Sequence, residues 1–378
     1  MEFLFYHTIV RRHDQTREDI DMHVKRCHWP MLLSLGIALG LMGCVKPPID
    51  YRAASPPACR KPAHAATYGD FPLHHFLPLP MSVLEDKFRR EPFNILEAKA
   101  TAQGSTSAVR FRIQFRDCTV LEVKWRASPP GARRYNNDPR REIAAYVFQK
   151  LFLEPEDYVV PVTVPVCIPA ADMARIGLRA EPQIAGSDCV FGPMAIWLQN
   201  VQSVGNFLDR DRFEQSVTGQ EASDYARQFA NLNIFTYLIS HRDGRKGNFL
   251  VSTVPEQPHI FSIDNSLAYE GMGNPRPFIP RWARLKVDKL PRATIERLRR
   301  ITTEQLSRQL GVVSEGRLTE DGHLKRPLTF SPNINPQQGY RQHGDIVQLG
   351  LSNSEISKIA ARLRKLLERV NSGNIQLF

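Results

Sequence analysis

Two carboxylates and one amide are spaced along the sequence in a way that suits cation binding and proton transfer. Residues 241–248 read His-Arg-Asp-Gly-Arg-Lys-Gly-Asn, so that Asn248 stands five positions after Asp243. Asp264 follows sixteen positions later, in the sequence Ile-Asp-Asn-Ser. Carboxylate and amide oxygens are hard ligands of the kind that Mg²⁺ takes, and a carboxylate also accepts protons. The spacing marks these residues as a candidate active site.

A lysine and a glutamate upstream complete the set of candidate residues. Lys124 lies in Thr-Val-Leu-Glu-Val-Lys-Trp (119–125), which predicts the second strand of a hairpin. Glu142 lies eighteen positions later, on a predicted helix that begins at Asp138-Pro139. Proline suits the first turn of a helix, and either Asn137 or Asp138 could cap it.

The order strand Lys, helix Glu, Asp-x4-Asn loop and strand-end Asp resembles the protein-kinase-like superfamily. The phrases Asn-Phe-Leu-Val (248–251) and Ile-Asp-Asn-Ser-Leu-Ala (263–268) are similar to atypical members of it. These are the phosphatidylinositol 3/4-kinase-like, HipA-type and secretory four-jointed/Golgi casein kinase families. The resemblance covers roughly 95–270. It departs from ordinary eukaryotic protein kinases, because Asp264-Asn265-Ser266 replaces Asp-Phe-Gly and no Ala-Pro-Glu follows.

The resemblance implies a role for each candidate residue. Asp243 would be the catalytic residue that orients the substrate hydroxyl or accepts its proton. Lys124 would bind the α- and β-phosphates of ATP, and Glu142 would hold Lys124 in place. Asn248 and Asp264 would bind Mg²⁺, or Mn²⁺ in its stead.

Further residues would contact the nucleotide in the same interpretation. Gly104, Ser105, Thr106 and Ser107 would form the phosphate loop, although only one glycine is present there. Arg245 or Lys246 could touch the γ-phosphate. The backbone near Gln199 and Val201 would lie beneath the adenine as a hinge.

Hydrophobic periodicity predicts the elements that position these residues. Apolar and polar residues alternate from Val109 to Phe115, which is typical of a half-buried strand, and further strands are expected at 158–166 and within 190–201. A helix is predicted over 221–240, followed by short strands at 249–251 and 260–263. The remainder is predicted to be mostly helical, with helices at 293–310 and 354–370 and a long loop at 311–345. Ser352 and Glu355 resemble a capping box for the last helix.

The N-terminal region has the features of an export signal. Residues 31–42 are uncharged and follow Lys25 and Arg26. Twelve residues are too few to span a bilayer, which takes roughly 20 residues, but they suit a signal-peptide core. The run ends in Leu-Met-Gly-Cys, which looks like a bacterial lipobox with Cys44 as the lipidated residue. A short buried helix with a chance cysteine is the alternative.

This interpretation sets expectations for processing and location. The signal region would be 1–43, and 1–21 could be a misassigned start, with the true start at Met22 or Met31. We expect a lipid-anchored protein of the bacterial cell envelope, held through Cys44. The outer membrane is the expected location, with the domain facing the periplasm or the exterior.

Composition and cysteine usage narrow the class of protein. The 378 residues carry a net charge of +11, and 42% of them are hydrophobic, which argues against wholesale disorder and multi-span membrane proteins. No C-x-x-C pair supports a zinc ribbon. In an oxidising compartment Cys167 and Cys189 are the preferred disulfide pair, with buried free thiols as the alternative.

A basic stretch at 276–300 has two interpretations. It could dock an acidic substrate or an anionic lipid, or it could be an ordinary solvated helix face. The sequence contains no recognised nucleic-acid motif, so we expect no nucleic-acid partner.

These observations predict an α+β, two-lobed, protein-kinase-like fold. A lipidated tether and linker would occupy 44–85, a small β-rich N-lobe with one helix and the hinge 86–201, and a helical C-lobe 202–378. The predicted function is an exported, membrane-anchored atypical kinase that transfers phosphate from ATP to a hydroxyl of a protein or glycan. The alternative is a catalytically inactive kinase-fold binding lipoprotein. The sequence leaves the acceptor and the oligomeric state open.

Overall fold

A five-stranded antiparallel sheet carries Lys124. The computed structural model describes residues 71–101, 108–132, 138–178, 180–204, 210–217, 223–244, 246–269 and 281–378. The strands in chain order are β1 Phe93–Ala100, β2 Val109–Phe115, β3 Val120–Trp125, β4 Thr163–Pro169 and β5 Cys189–Ile196. Their order in space is β1-β2-β3-β5-β4, so that β1 and β4 form the two edges of the sheet.

The observed hairpin of β2 and β3 confirms the strands that were predicted from the alternation of apolar and polar residues. Every second residue of β2, from Val109 to Phe115, is buried, and the residues between are partly or fully exposed. The register pairs Arg110 with Lys124, which places Lys124 in the middle of the sheet beside Ala195 of β5. Burial of one face therefore fixes which residues of β3 point toward the core.

The strand expected at 158–166 begins later than predicted, at Thr163. The apolar run before it is buried but irregular, because the side chain of Gln149 replaces a neighbouring strand as hydrogen-bond partner. Its Nε2 donates to the carbonyl of Val160, and its Oε1 accepts from the amide of Val160, both at 2.7 Å. Satisfied backbone groups remove the need for a ladder here.

The residues at 71–90, most of which the sequence assigns to the linker, belong to the core. Helix α1 spans Met81–Arg90, and the segment before it buries Leu73, Phe76 and Leu77 almost completely. The sequence gives no sustained periodicity there. The core therefore begins ahead of the predicted N-lobe boundary at residue 86.

Two helices carry or precede residues of the candidate site. Helix α2 spans Pro139–Gln149, begins with proline as predicted, and buries Ile143 and Phe148. Helix α5 spans Asp224–Leu238 and begins at Ser223, whose side chain accepts from the amide of Ala226 at 3.3 Å. Shorter helices are α3 Ala170–Arg175 and α4 Arg210–Ser216.

A three-stranded antiparallel sheet combines one strand before α5 with two strands after it. Its strands are β6 Val201–Ser203, β7 Phe249–Ser252 and β8 Ile260–Ser262, in that order in space. The register pairs Phe249 with Ser262, and the amide of Ile263 donates to the carbonyl of Asn248 at 2.9 Å. Asn248 and Asp264 therefore lie at the same end of the β7–β8 hairpin.

The helix predicted at 293–310 is two helices, so the prediction of one continuous helix is wrong. Helix α6 spans Arg292–Arg299 and helix α7 spans Thr303–Leu310. The break falls where Thr302 caps α7, its hydroxyl accepting from the amide of Gln305 at 3.1 Å. Threonine competes well for such a position because its side chain replaces a missing backbone partner.

The prediction of a long loop at 311–345 is also wrong, because that region contributes to a four-stranded sheet. Its strands are β10 Ser314–Leu318, β11 Leu324–Lys325, β12 Tyr340–His343 and β13 Ile346–Leu349, ordered β11-β10-β13-β12. The strands are short and bury polar residues such as Glu315, Arg341 and Gln348, so no apolar alternation marks them.

The last helix and the C-terminus close the fold. Helix α8 spans Asn353–Asn371 with the predicted capping box, in which Ser352 and Glu355 bond each other's backbone amides. The final strand, β14 Gln376–Leu377, pairs in parallel with β9 Lys289–Leu290. The described residues thus form an α+β fold of several antiparallel sheets and eight helices.

A disulfide joins the edge strand β4 to its neighbour β5. Cys167 of β4 and Cys189 of β5 form a disulfide with their Cα atoms 5.4 Å apart. Cys118 is disulfide-bonded as well. Within the described residues no helix is both long and apolar enough to cross a bilayer.

A buried ionic cluster attaches α2 to the start of α8. The Arg140 guanidinium contacts Glu355 Oε2 at 2.5 Å, and Arg141 Nη2 contacts Glu355 Oε1 at 2.9 Å. Asp138 accepts from Arg140 at 2.9 Å. Burial alone would raise the pKa of Glu355, but the two arginines outweigh it and lower that pKa to about 2.

Replacing Glu355 by glutamine should destabilise the protein, because two buried guanidinium groups lose their shared carboxylate. We expect a loss of about 3–5 kcal/mol in the free energy of unfolding, measured by chemical denaturation. The folded pKa of about 2 lies below the ordinary 4.5, so the stabilisation is complete above pH 4.5 and is lost as the pH falls toward 2. The difference between wild type and variant should therefore shrink in acid.

The matched control is Glu368→Gln, which alters an exposed carboxylate of the same helix. It should change stability by less than about 0.5 kcal/mol. A Glu355 variant as stable as this control would contradict a structural role for the cluster.

Candidate active site

Asp264 lies at the centre of the candidate site, directly after β8. Its backbone is left-handed, with φ 59° and ψ 53°, and a 3₁₀ turn, Asn265–Leu267, follows it. A left-handed conformation is uncommon for a residue other than glycine, and aspartate tolerates it better than most. Such conformations persist where the surrounding contacts impose them.

Lys124 reaches Asp264 from the five-stranded sheet, across 140 positions of sequence. Lys124 Nζ donates to Asp264 Oδ1 at 3.1 Å. About a third of each side chain is exposed, 30% for Lys124 and 32% for Asp264, so the pair lies at the protein surface rather than in the core. A ligand arriving from solvent can therefore reach both groups.

Glu142 has different partners from those that the resemblance implies. Its Oε2 accepts from the amide of Asn265 at 2.9 Å, and its Oε1 accepts from the amide of Ser266 at 3.0 Å. Both amides belong to the turn after Asp264 and have no partner within the turn. Lys124, by contrast, forms its ion pair with Asp264. Glu142 thus positions the loop that carries Asp264, rather than pairing with Lys124 directly.

Arg126 is a residue of the site that the sequence analysis missed. It lies two positions after Lys124, is 6% exposed, and its charge lowers the pKa of both Asp264 and Glu142. Alternate residues of an extended chain share a face, so the spacing Lys-x-Arg at the end of β3 was the available signal. Arg126 brings a second positive charge to the two carboxylates.

The two carboxylates of the cluster differ in their acidity. Burial raises the pKa of Glu142, and the charge of Asp264 raises it further, against the opposing influence of Lys124 and Arg126. Burial also acts to raise the pKa of Asp264, but Lys124 and Arg126 outweigh it and lower that pKa overall. Asp264 is therefore the carboxylate that is held in its charged form.

Asp243 and Asn248 are bonded to each other at the other side of the loop. Asn248 Nδ2 donates both to the backbone carbonyl of Asp243 at 2.8 Å and to its Oδ2 at 2.9 Å. Asn248 is 4% exposed, whereas Asp243 is only half-buried. Because the amide nitrogen is engaged by Asp243, the side-chain oxygen of Asn248 is its remaining ligand atom.

His241 packs beneath this loop. It is fully buried, and its ring meets Phe249 edge-to-face with centroids 5.9 Å apart. Burial lowers the pKa of His241 to about 4, although nearby Asp264 acts in the opposite direction. The imidazole is therefore neutral at physiological pH, and it supports the loop without adding a charge.

The remaining predicted residues fall in several places. Gly104, Ser105, Thr106, Ser107, Arg245 and Cys44 lie outside the described residues, as does the side chain of Lys246. The amide of Gln199 donates to the carbonyl of Phe76 at 3.0 Å, and Val201 begins β6 opposite Ser252 of β7. The amide of Gln199 is thus engaged within the protein rather than directed to a ligand.

The donor set fits a single hard cation shared with a ligand. Asp264 offers a carboxylate, Asn248 offers an amide oxygen, and the β7–β8 hairpin brings the two residues to one end. Mg²⁺ commonly takes one or two carboxylates and completes its shell with phosphate oxygens and water. The described part of the chain holds no cluster of three or more His, Cys, Asp or Glu residues that could bind a metal ion.

Comparison with known proteins adds little to this geometry. No protein-family model matches the chain, and no curated protein matches it. Among solved structures the chain is similar to hydra Fam20 with sugar, at 14% identity and a TM-score of 0.46. The likeness covers 75% of this chain and 86% of that one. Nothing about the reaction follows from a likeness at this score.

Replacing Glu142 by glutamine should loosen the turn after Asp264. Glutamine keeps one oxygen acceptor but turns an amide donor toward a backbone N–H, so one of the two hydrogen bonds is lost. We expect a loss of about 1–3 kcal/mol in stability. Hydrogen exchange at the amides of Asn265 and Ser266, followed by NMR, should become faster.

The exposed Glu368→Gln variant is again the control and should leave both amides protected as in the wild type. Unchanged exchange at Asn265 and Ser266 in the Glu142 variant would show that this carboxylate does not hold the turn.

Proposed function

We propose that this protein is an atypical kinase, which transfers phosphate from ATP to a hydroxyl group of a protein or glycan. The observation that carries the proposal is the 3.1 Å contact between Lys124 and Asp264, with Glu142 bonded to the two amides after Asp264. Two segments that are distant in sequence meet there. Lys124 is suited to bind the phosphates of a nucleoside triphosphate, and Asp264 is suited to bind its cation. Phosphoryl transfer depends mainly on such positioning and charge neutralisation.

Each residue has a defined task in this reaction. Lys124 and Arg126 provide positive charge for the phosphates, and Asp264 and Asn248 would hold Mg²⁺ or Mn²⁺. The cation, when bound, neutralises negative charge on the phosphates. Asp243 is half-buried and fixed by Asn248, so it is suited to orient a substrate hydroxyl and accept its proton.

The contact between Lys124 and Asp264 is compatible with ligand binding. Ion pairs that are about a third exposed contribute only about 0–1 kcal/mol, so little free energy is lost when the partners exchange. Lys124 can then turn to phosphate oxygens while Asp264 turns to a cation. The proposal includes a two-lobed organisation, with a small lobe at 86–201 and a larger lobe at 202–378.

A second function is an inactive kinase-like binding module. The engagement of the Gln199 amide by Phe76 favours it, because the predicted hinge donor is then already satisfied within the protein. In that case the cleft would bind a ligand other than adenine nucleotide, or bind nucleotide without transfer. Activity and binding must therefore be measured separately.

Mg²⁺-ATP should stabilise the wild-type protein against thermal unfolding. At 100 times the dissociation constant, one bound ligand adds about 2.7 kcal/mol. Asp264→Asn should remove the metal-dependent part of this shift while changing the stability of the free protein by about 1 kcal/mol or less. Asp243→Asn should retain nucleotide binding but reduce phosphate release or transfer by roughly 10²-fold or more.

Asp288→Asn, which alters an exposed carboxylate away from these residues, is the matched control and should behave as the wild type. Metal-dependent binding without transfer in the wild type would select the inactive module. Transfer that is equal in wild type, Asp243→Asn and Asp264→Asn would reject the assigned roles.

We further propose that the chain is exported and held in the bacterial envelope through lipidated Cys44. Basic residues, an uncharged stretch of twelve residues and Leu-Met-Gly-Cys support this location. Little ATP is expected in a periplasm, so the donor there would come from outside the cell or be another phosphate compound. The membrane is accordingly the first partner, and the acceptor is unidentified.

Cys44→Ser should release the protein from membranes into the soluble fraction, because the thiol that carries the lipid is removed. Cys27→Ser changes a cysteine upstream of the proposed cleavage site and should leave membrane retention unchanged. Fractionation of cells followed by immunoblotting measures both. Membrane retention of the Cys44 variant would reject lipidation at this residue.

A further inference from the structure

A cavity with a volume of about 600 Å³ lies away from the candidate active site. Strands β1 and β4 both line it although they form opposite edges of the five-stranded sheet, so the sheet curves and its edges face one cavity. The end of α1 and strands β10 and β11 contribute further walls. Lys124, Asp243 and Asp264 are absent from the lining, so the cavity is separate from the proposed phosphotransfer site.

Arg326 enters this cavity without an anionic partner. Among the described residues it has neither a hydrogen bond nor an ion pair, and its guanidinium lies 5.3 Å from the centre of the Phe330 ring. Burial, and next the like charge of Arg89, lower the pKa of Arg326 to about 10. A guanidinium stays charged in proteins, and the charge of Glu85 only partly offsets this desolvation and repulsion in the free protein.

Arg89 adds a second incompletely satisfied guanidinium to the same cavity. It forms an ion pair with Glu85, but its Nε is buried and has no hydrogen-bond acceptor. A buried donor without an acceptor is costly, and such groups are few in native proteins. Two guanidinium groups, those of Arg326 and Arg89, therefore line one cavity.

The carboxylates that line the cavity are already engaged elsewhere. Glu91 pairs with Lys87 at 3.1 Å, and Asp172 pairs with Arg175. Glu315 accepts from the amide of Ser331 at 2.7 Å and from the hydroxyl of the same residue at 3.0 Å. The lining thus contains as many acidic as basic residues, but the acids are not available to Arg326.

Part of the cavity lining is apolar. It is formed by aromatic and aliphatic side chains from α1, β1, β4 and β5, namely Phe88, Phe93, Ile168 and Phe191. A cavity of this size falls in the range of small-molecule sites, which combine apolar walls with a few polar groups. The arrangement suits a ligand with one anionic end and an apolar body.

We propose that this cavity binds a small organic anion, whose phosphate or carboxylate group contacts Arg326 and Arg89 while its apolar body packs on the wall around Phe93. Arginine matches both kinds of oxyanion, because its planar donors can bond two oxygens at once. The bound anion relieves the repulsion between the two guanidinium groups. The site is independent of the proposed kinase activity.

Phenyl phosphate and benzoate are the probes, since each carries an oxyanion on an apolar ring, and benzyl alcohol is the neutral control. Titrations are followed by calorimetry and by NMR of arginine side-chain signals, with that of Arg326 assigned from its loss in Arg326→Gln. We expect saturable millimolar binding of at least one anion, a shift of the Arg326 signal, and much weaker binding of benzyl alcohol. The stronger probe identifies phosphate or carboxylate as the preferred group.

Arg326→Gln should weaken anion binding about tenfold or more, as expected for loss of a charge-assisted hydrogen bond. Its melting temperature without ligand should not fall, because the removed charge is unpaired. Arg308→Gln, which changes an exposed arginine of α7, should bind as the wild type. Arg326→Lys keeps the charge without the planar donors and should bind with intermediate affinity.

Absence of saturable binding by both anions would overturn the proposal. Equal affinity in wild type and Arg326→Gln would also overturn it, as would binding of benzyl alcohol as tight as that of the anions.

Discussion

The first turn of α2 is the constraint on which the candidate site depends. Three consecutive charged residues there serve different partners: Arg140 and Arg141 bind Glu355 at the start of α8, and Glu142 binds the amides after Asp264. A helix that is fixed at one end by a buried ionic cluster can hold a loop in one position. The left-handed backbone of Asp264 is maintained by these contacts.

Among the described residues, the positively and negatively charged side chains around Asp264 are equal in number. The charges of Lys124 and Arg126 act on Asp264 and Glu142, so two cationic side chains lie near two carboxyl groups. Desolvation of such charges is costly unless each is paired and hydrogen-bonded. Glu142 meets this condition through backbone amides, which leaves Lys124 and Asp264 as the more exposed pair.

The cavity at the edges of the five-stranded sheet differs from the candidate active site in how its charged groups are paired. At the candidate active site Lys124 forms an ion pair with Asp264, whereas Arg326 forms neither an ion pair nor a hydrogen bond among the described residues. Curvature of the sheet brings β1 and β4 to the same space, and the strands after α7 form part of the wall. The region that the sequence presents as a loop is therefore needed to build this cavity.

Local sequence determined much of the protein. Alternation predicted β2 and β3, a periodic apolar face predicted α5, and Ser352 with Glu355 predicted the start of α8, because each signal depends on neighbours in the chain. The types and spacing of Lys124, Asp243, Asn248 and Asp264 also predicted one shared site, which stays a prediction.

Only the tertiary structure decided which groups meet. The pairing of Lys124 with Asp264, the attachment of Glu142 to the turn after it, and the approach of Arg126 join distant segments. Strands β10 to β13 likewise depend on partners across the sheet rather than on their own apolar pattern. Long-range hydrogen bonds and ion pairs leave no periodic trace in a sequence, and the partners they choose are fixed only when the chain has folded.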